Sequence, residues 1–178
     1  KIILIGESAG GNLILGITFL AIRSKKRVPD GLLLAYPALD ARIEKYTPSH
    51  LKAIDDGLVA YSYLKLFVHA YLHDIEIAKV DPLVSPLLAP NEIFSEFPPV
   101  KIVVGSNDPL YDDCWRLMDK LRKLKKNVEL VVYEHMPHGF LLNNIPGGMK
   151  ESAQCIQDTA VLIQNLLDLK VKSNSPHL

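Results

Sequence analysis

The chain has 178 residues, of which 48% are hydrophobic and 22% charged, the balance of an ordinary globular domain with a core of its own. Lysine plus arginine and aspartate plus glutamate both number 20, so the formal net charge is zero and no long-range field recruits nucleic acid. No apolar run reaches the ~18 residues of a membrane span, and no stretch reads as a secretory leader.

The sequence opens on Lys1 and runs straight into Ile2-Ile3-Leu4-Ile5. A short, wholly apolar, β-branched run suits a strand covered on both faces, as in a parallel sheet. An opening in mid-strand reads as part of a longer chain. Gly6-Glu7-Ser8-Ala9-Gly10-Gly11 follows, and then Leu13, Ile14, Ile17, Leu20 and Ala21 fall at helical spacing up to Lys25-Lys26-Arg27, cations that suit a helix C-terminus. Pro29-Asp30-Gly31 is turn material, and residues 32–36 form a second apolar strand stopped by Pro37.

Residues 38–98 leave the strand–helix alternation. Residues 55–72 are predicted as one helix with Tyr61, Tyr63, Phe67 and Tyr71, and three prolines break the run 81–90. The segment reads as a helical insertion across the sheet, either packing on itself or lining an apolar pocket above Ser8. The alternation resumes with a strand at 100–104 and a helix at 112–126 carrying Cys114, Leu117, Met118, Leu121 and Leu124. A more polar strand at 128–133, suited to a sheet edge, and a helix at 151–170 complete it. Residues 173–178 read as a disordered tail. Residues 1–172 form one portion of an α/β domain with a parallel sheet. Cys114 and Cys155 sit in amphipathic helical stretches and read as buried, reduced thiols, which leans toward a cytosolic setting.

The chemistry-bearing pattern is Gly6-Glu7-Ser8-Ala9-Gly10 between a buried strand and a helix, the context in which G-x-S-x-G places a nucleophile on a strained turn. Ala9 N–H, at the helix N-terminus, would point at a developing oxyanion. A phosphate-cradling glycine loop is the competing reading, but the Lys of a P-loop and the acidic partner of a dinucleotide fold are both missing. A serine needs a base, and the base an orienting carboxylate, in the order serine, acid, histidine, each at a strand end. Asp108 follows the strand at 100–104, and His138, in Met136-Pro137-His138-Gly139, follows the strand at 128–133. Asp112 and Asp113 compete for the acid but read as helix-start capping residues. His135 competes for the base but lies closer to the strand body. His69 and His73 stand four apart on a helix face, and with no further ligand cluster they read as a solvated face rather than a metal site.

Taken together, Gly6-Glu7-Ser8-Ala9-Gly10-Gly11-Asn12-Leu13, Arg27-Val28-Pro29-Asp30-Gly31, Ala35-Tyr36-Pro37-Ala38, Ser85-Pro86-Leu87-Leu88-Ala89-Pro90, Asp108-Pro109-Leu110-Tyr111-Asp112-Asp113 and Pro137-His138-Gly139-Phe140-Leu141 resemble the hormone-sensitive lipase family of α/β-hydrolases. The resemblance implies an α/β-hydrolase fold and a Ser8–Asp108–His138 triad with Ala9 in the oxyanion hole. It also implies hydrolysis of lipid esters such as acylglycerols or cholesteryl esters, no metal or organic cofactor, and intracellular action at lipid droplets. Family members carry a His-Gly-Gly-Gly loop upstream of the serine, which these residues lack, and residues 39–84 are too short for the large regulatory insertion of mammalian members. A non-catalytic scaffold that binds lipid or a partner is the alternative from another class, and the triad by itself does not separate ester from amide substrates.

Loss of one oxyanion donor costs about 3–4 kcal/mol in such sites, and an apolar strand edge invites association. The 178 residues expressed alone are therefore expected to be poorly soluble and nearly inactive on short p-nitrophenyl esters. Robust turnover by a clean monomer would contradict this.

Overall fold

Four short runs of aliphatic residues pair side by side in the computed structural model, which describes residues 1–55 and 59–168. The strands are β1 (Ile3–Glu7), β2 (Gly31–Ala35), β3 (Val100–Gly105) and β4 (Val128–Tyr133). They form one parallel sheet in the order β1-β2-β3-β4, with Ile3 opposite Gly31, Leu32 opposite Val100, and Val100 opposite Val128. Strand order equals chain order, so each connection is a crossover in the same direction. The right-handed rule places α1 (Ala9–Arg23) and α5 (Tyr111–Lys123) on one face. The last helix, which packs on β1 and β2, covers the other. Cover on both sides explains why every residue of β2 and β3 is buried.

Between β2 and β3 the chain makes α2 (Pro48–Lys52), α3 (Tyr61–Tyr71) and α4 (Asn91–Ser95), with turns of 3-10 helix at Ile75–Lys79 and Pro86–Leu88. A further 3-10 turn, Phe140–Asn143, precedes α6 (Lys150–Asp168). The insertion is anchored at its root by polar staples. Asn12 Nδ2 donates to both Ala38 O and Val84 O at 2.9 Å. The buried Ser85 hydroxyl donates to Ala78 O at 2.7 Å and accepts from Ala41 N–H at 3.0 Å. Phe19 of α1 packs against Phe94 and Phe97, with ring centroids 5.6 and 5.4 Å apart. These contacts answer the need of an irregular segment to satisfy its backbone groups wherever it is covered.

Four expectations change. The first strand is less buried than its wholly apolar run implies: helices pack on both of its faces, but among the described residues it pairs only with β2, and Ile5 is 53% exposed. In α1 the core stripe is Ile14, Leu15, Thr18, Phe19 and Ile22, whereas Leu13, Ile17 and Leu20 are 58, 54 and 49% exposed. The helix carries two apolar stripes, and spacing alone does not say which one meets the sheet. The long helix expected at 55–72 begins only at Tyr61, after Ala60 as its N-cap, with 56–58 outside the described residues. Because it ends at Tyr71 with Leu72 as its C-cap, His69 and His73 do not share a helix face, and both are exposed. The expected tail at 173–178 and the end of the last helix at 169–170 lie outside the described residues.

β4 is the other margin of the sheet, as its polar sequence implies, and its Glu129 is taken up by Lys101 of β3 at 2.6 Å. Cys114 and Cys155 are both buried free thiols. No described helix is long and apolar enough to cross a membrane.

Two glycines separate tight approach from spare room. A Cβ at Gly6 would sit 2.5 Å from Gly10 O, a clash with backbone, while one at Gly16 would meet only a Leu83 methyl at 3.7 Å. Gly6→Ala is expected to lower Tm sharply or prevent folding. Gly16→Ala, in a helix interior, is expected to raise stability by up to ~1 kcal/mol, read by urea or thermal denaturation. Equal effects at the two positions would contradict the packing described.

Candidate active site

Ser8 joins β1 to α1 with φ 50° and ψ −118°, a left-handed backbone that costs an L-residue ~1–3 kcal/mol and persists only when its neighbours over-determine it. Here they do. Ser8 N–H donates to Ala35 O at 2.9 Å, extending the β1–β2 ladder by one bond, and Ser8 O accepts from Gly11, Asn12 and Ala38 N–H at 3.0, 3.3 and 3.1 Å. The side chain makes no capping bond to the helix, so the hydroxyl points away from α1 and is free for another partner. The close approach that the motif needs is at Gly6 against the Gly10 backbone and at Gly11 against Pro37 Cβ, 2.6 Å from a built Cβ. At Gly10 itself a Cβ would meet nothing within 4 Å.

The partner of the hydroxyl is His138, whose Nε2 lies 2.9 Å from Ser8 Oγ. The other ring nitrogen, Nδ1, lies 2.9 Å from Asp108 Oδ2. A carboxylate accepts only, so Nδ1 carries the proton and donates, which leaves Nε2 as the acceptor for the serine hydroxyl. Asp108 is 1% exposed, and its second oxygen accepts Leu110 N–H at 2.7 Å, so both carboxylate oxygens are occupied and the group is fixed.

Asp108 and His138 meet because the loops after β3 and β4 are stitched together. Ser106 N–H donates to Tyr133 O at 2.9 Å and Asn107 N–H to Met136 O at 3.1 Å. Ser106 Oγ accepts His135 N–H at 2.8 Å. The loops lie so close that a Cβ at Gly105 would stand 2.0 Å from Met136 O. Gly139 then turns the chain with φ 72°, which seats Phe140 in the core and leaves His138 beside Ser8. His135 is exposed, away from the relay.

Above Ser8 lies a cavity of about 230 Å³ whose wall includes Ala9, Tyr61, Leu64, Phe67 and Tyr71. The insertion therefore lines a space over the serine and is more than self-packing. Ala9, first in α1, lines the same space, and by position its N–H has no intrahelical acceptor.

Sequence reasoning missed the charged cluster beneath this cavity. Asp40 accepts from Arg42 Nε and Nη2 at 2.7 and 2.6 Å and from Arg116 Nη1 at 3.0 Å. Burial alone would push the Asp40 carboxyl up, but the bonds from Arg42 and Arg116 hold it below its usual range. Asp113 also pairs with Arg116, at 2.7 Å, while its Oδ2 is buried without a partner. Burial outweighs the nearby Arg116 charge and pushes Asp113 up to about 6. Asp112 accepts Ser49 N–H at 2.7 Å. Neither residue caps α5, whose N-cap is Leu110: Asp112 turns to Ser49 in the insertion, and Asp113 pairs within α5 with Arg116. The i,i+3 spacing of Asp113 and Arg116 was a visible signal; Asp40, 76 residues from Arg116, carried none.

A sequence model of the family described as "alpha/beta hydrolase fold" matches residues 1–142. The chain is 29% identical over 169 residues to an esterase of Acinetobacter venetianus, covering 93% of this chain and 52% of that protein. It is 48% identical over 123 residues to hormone-sensitive lipase of Homo sapiens, covering 64% of this chain and 11% of that protein. The crystal structure of the hyperthermophilic esterase from Pyrobaculum calidifontis superposes with a TM-score of 0.85 at 23% identity, over 95% of this chain and 54% of that one. The chain thus spans about half the length of the Acinetobacter and Pyrobaculum proteins.

The raised carboxyl of Asp113 has a consequence for stability. A carboxyl held at about 6 instead of the ~3.9 of an unfolded aspartate favours the folded state only while protonated. It costs on the order of 3 kcal/mol once pH exceeds both values, and nothing below the lower one. Asp113→Asn is therefore expected to stabilise the protein by about 1–3 kcal/mol at pH 8, with the gain shrinking as pH falls from 6 toward 4. Denaturation curves at the two ends of that range check the sign, and a variant that is less stable at pH 8 would contradict it.

Proposed function

The chain belongs to the α/β-hydrolase fold family, and on that premise we propose that the protein carrying it is a serine ester hydrolase acting through Ser8, His138 and Asp108. The observation that carries the reading is the unbroken relay from Ser8 Oγ to His138 Nε2 and from His138 Nδ1 to Asp108 Oδ2, each step 2.9 Å, opening on an apolar cavity.

In the first half-reaction His138 Nε2 takes the hydroxyl proton as Ser8 Oγ bonds to the ester carbonyl carbon. The carbonyl oxygen becomes an oxyanion, and Ala9 N–H donates to it. Asp108 holds the imidazolium in place through Nδ1. The C–O bond to the alcohol then breaks, and the proton on Nε2 passes to the departing oxygen. An acyl-serine remains. In the second half-reaction Nε2 removes a proton from water, the oxygen adds to the acyl carbon, and Ser8 leaves with the proton as the carboxylic acid is released. Protons and bonds balance without a metal or organic cofactor.

The apolar wall of Tyr61, Leu64, Phe67 and Tyr71 supports an ester with an aliphatic acyl chain. Similarity to a protein named hormone-sensitive lipase supports lipid esters as the class, acylglycerols and cholesteryl esters among them, and a lipid surface as the place of action.

Labelling with a fluorophosphonate probe tests this on the full-length protein. The wild type is expected to label, Ser8→Ala to be inert, and Asp108→Asn to lose about 10³- to 10⁴-fold in kcat. A Ser8→Ala variant that still labels or still turns over esters would sink the proposal.

A further inference from the structure

Tyr36, at the carboxyl end of β2, takes no part in the steps above, yet its conformation is costly. Its φ is 37°, a left-handed backbone unfavourable for a bulky side chain. The following residue is Pro37, which further restricts it. Tyr36 N–H is fixed on Val103 O at 2.7 Å, so the strand ladder enforces the turn. Ser8 has the same kind of backbone at the end of β1. Two neighbouring strands therefore end in strained residues that point into one place.

The Tyr36 side chain is wholly buried. Its ring stands edge-on to the His138 imidazole, with centroids 4.9 Å apart and planes at 62°, and touches Phe140 on another side at 5.8 Å. Its hydroxyl donates to Glu7 Oε2 at 2.7 Å, and Glu7 is the residue immediately before Ser8. Burial, and then the bond to Glu7, push the hydroxyl well above its usual range, so it stays a donor at any working pH.

The two hydrogen bonds of His138 run through its two ring nitrogens. Both bonds last only while the side chain keeps its rotations about Cα–Cβ and Cβ–Cγ, a freedom that two hydrogen bonds alone restrict weakly. A rigid surface against the ring removes that freedom. We propose that Tyr36 is a positioning residue for the hydrolase reaction: its ring, pinned through its hydroxyl to Glu7, holds the His138 imidazole in line between Ser8 and Asp108. The inference rests on the hydrolase reading of the site and adds Glu7 and Tyr36 to it as a brace between the nucleophile turn and the base.

Steady-state kinetics on a soluble ester with the full-length protein, together with the downfield Nδ1 proton of His138 in the NMR spectrum, test it. Tyr36→Leu is expected to lower kcat by up to about a hundredfold, with KM changed by less than about threefold and the downfield proton lost. Tyr36→Phe, which keeps the ring and loses the anchor, is expected to recover most of that rate, about three- to tenfold below wild type. Glu7→Ala, at an exposed side chain, is expected to match it, and the double variant Glu7→Ala/Tyr36→Phe to be no worse than either single one, because both remove the same bond. The two mild variants decide the matter should Tyr36→Leu fail to fold. Wild-type kcat and an unchanged proton in folded Tyr36→Leu, or additive losses in the double variant, overturn this inference alone. Turnover that survives Ser8→Ala overturns the hydrolase reading and this inference with it.

Discussion

The left-handed turn at Ser8 is the constraint on which the site depends. A serine in relaxed helical or extended backbone would lie along α1 or along β1, with its hydroxyl capping the helix or facing a neighbouring strand. At φ 50° and ψ −118° it does neither, and the hydroxyl stands clear at the tip of the strand. Four backbone bonds to Ser8, one through its N–H and three through its C=O, keep that geometry. The missing side chain of Gly6 lets the first turn of α1 close over β1. The strain is stored where chemistry is proposed and is balanced by regular structure on either side.

The other two members of the relay are held by different means. Asp108 and His138 come from loops that end adjacent parallel strands, and in a parallel sheet adjacent carboxyl ends lie ~5 Å apart. What remains is to fold the loops toward each other: Ser106 and Asn107 do this by bonding to the segment 133–136, and the bare Gly105 lets Met136 come close. The same physics places Tyr36 at the end of β2. Three strand tips, β1, β2 and β3, together with the loop after β4, converge on one imidazole. The insertion between β2 and β3 contributes cover instead of chemistry: α3 walls the cavity, and the Asp40–Arg116 bond ties the start of that insertion to α5, just after the Asp108 loop.

The parts of this arrangement that were legible in the sequence are the local ones. The glycines around Ser8 and the apolar runs of β2 and β3 lie within short windows, and serine, acid and histidine each stand just after a strand, β1, β3 and β4 in turn; each signal carries its own physical reason. Where the structure departs from expectation, the missing information is tertiary. Helix α1 has an apolar stripe at 13, 17 and 20 and another at 14, 15, 18, 19 and 22, and periodicity treats them alike; the sheet buries the second. Glu7 and Tyr36 are 29 residues apart, and Asp40 and Arg116 are 76 apart. No spacing rule links such pairs, and they meet only because the strands that carry them are neighbours or the insertion folds back. Asp112 illustrates the same point from the other side: a plausible local role at a helix start gives way to a partner brought from Ser49.

The central claim is that the Ser8 oxygen forms a covalent bond to the acyl group of an ester. Rapid quenching of the full-length protein with a p-nitrophenyl ester, followed by mass analysis of proteolytic peptides, measures this directly. A burst of p-nitrophenol is expected, with the acyl mass on the peptide that contains Ser8, and a lasting adduct when His138→Ala slows its hydrolysis. Turnover with no acylated peptide, or with the acyl mass on a peptide that lacks Ser8, would contradict it.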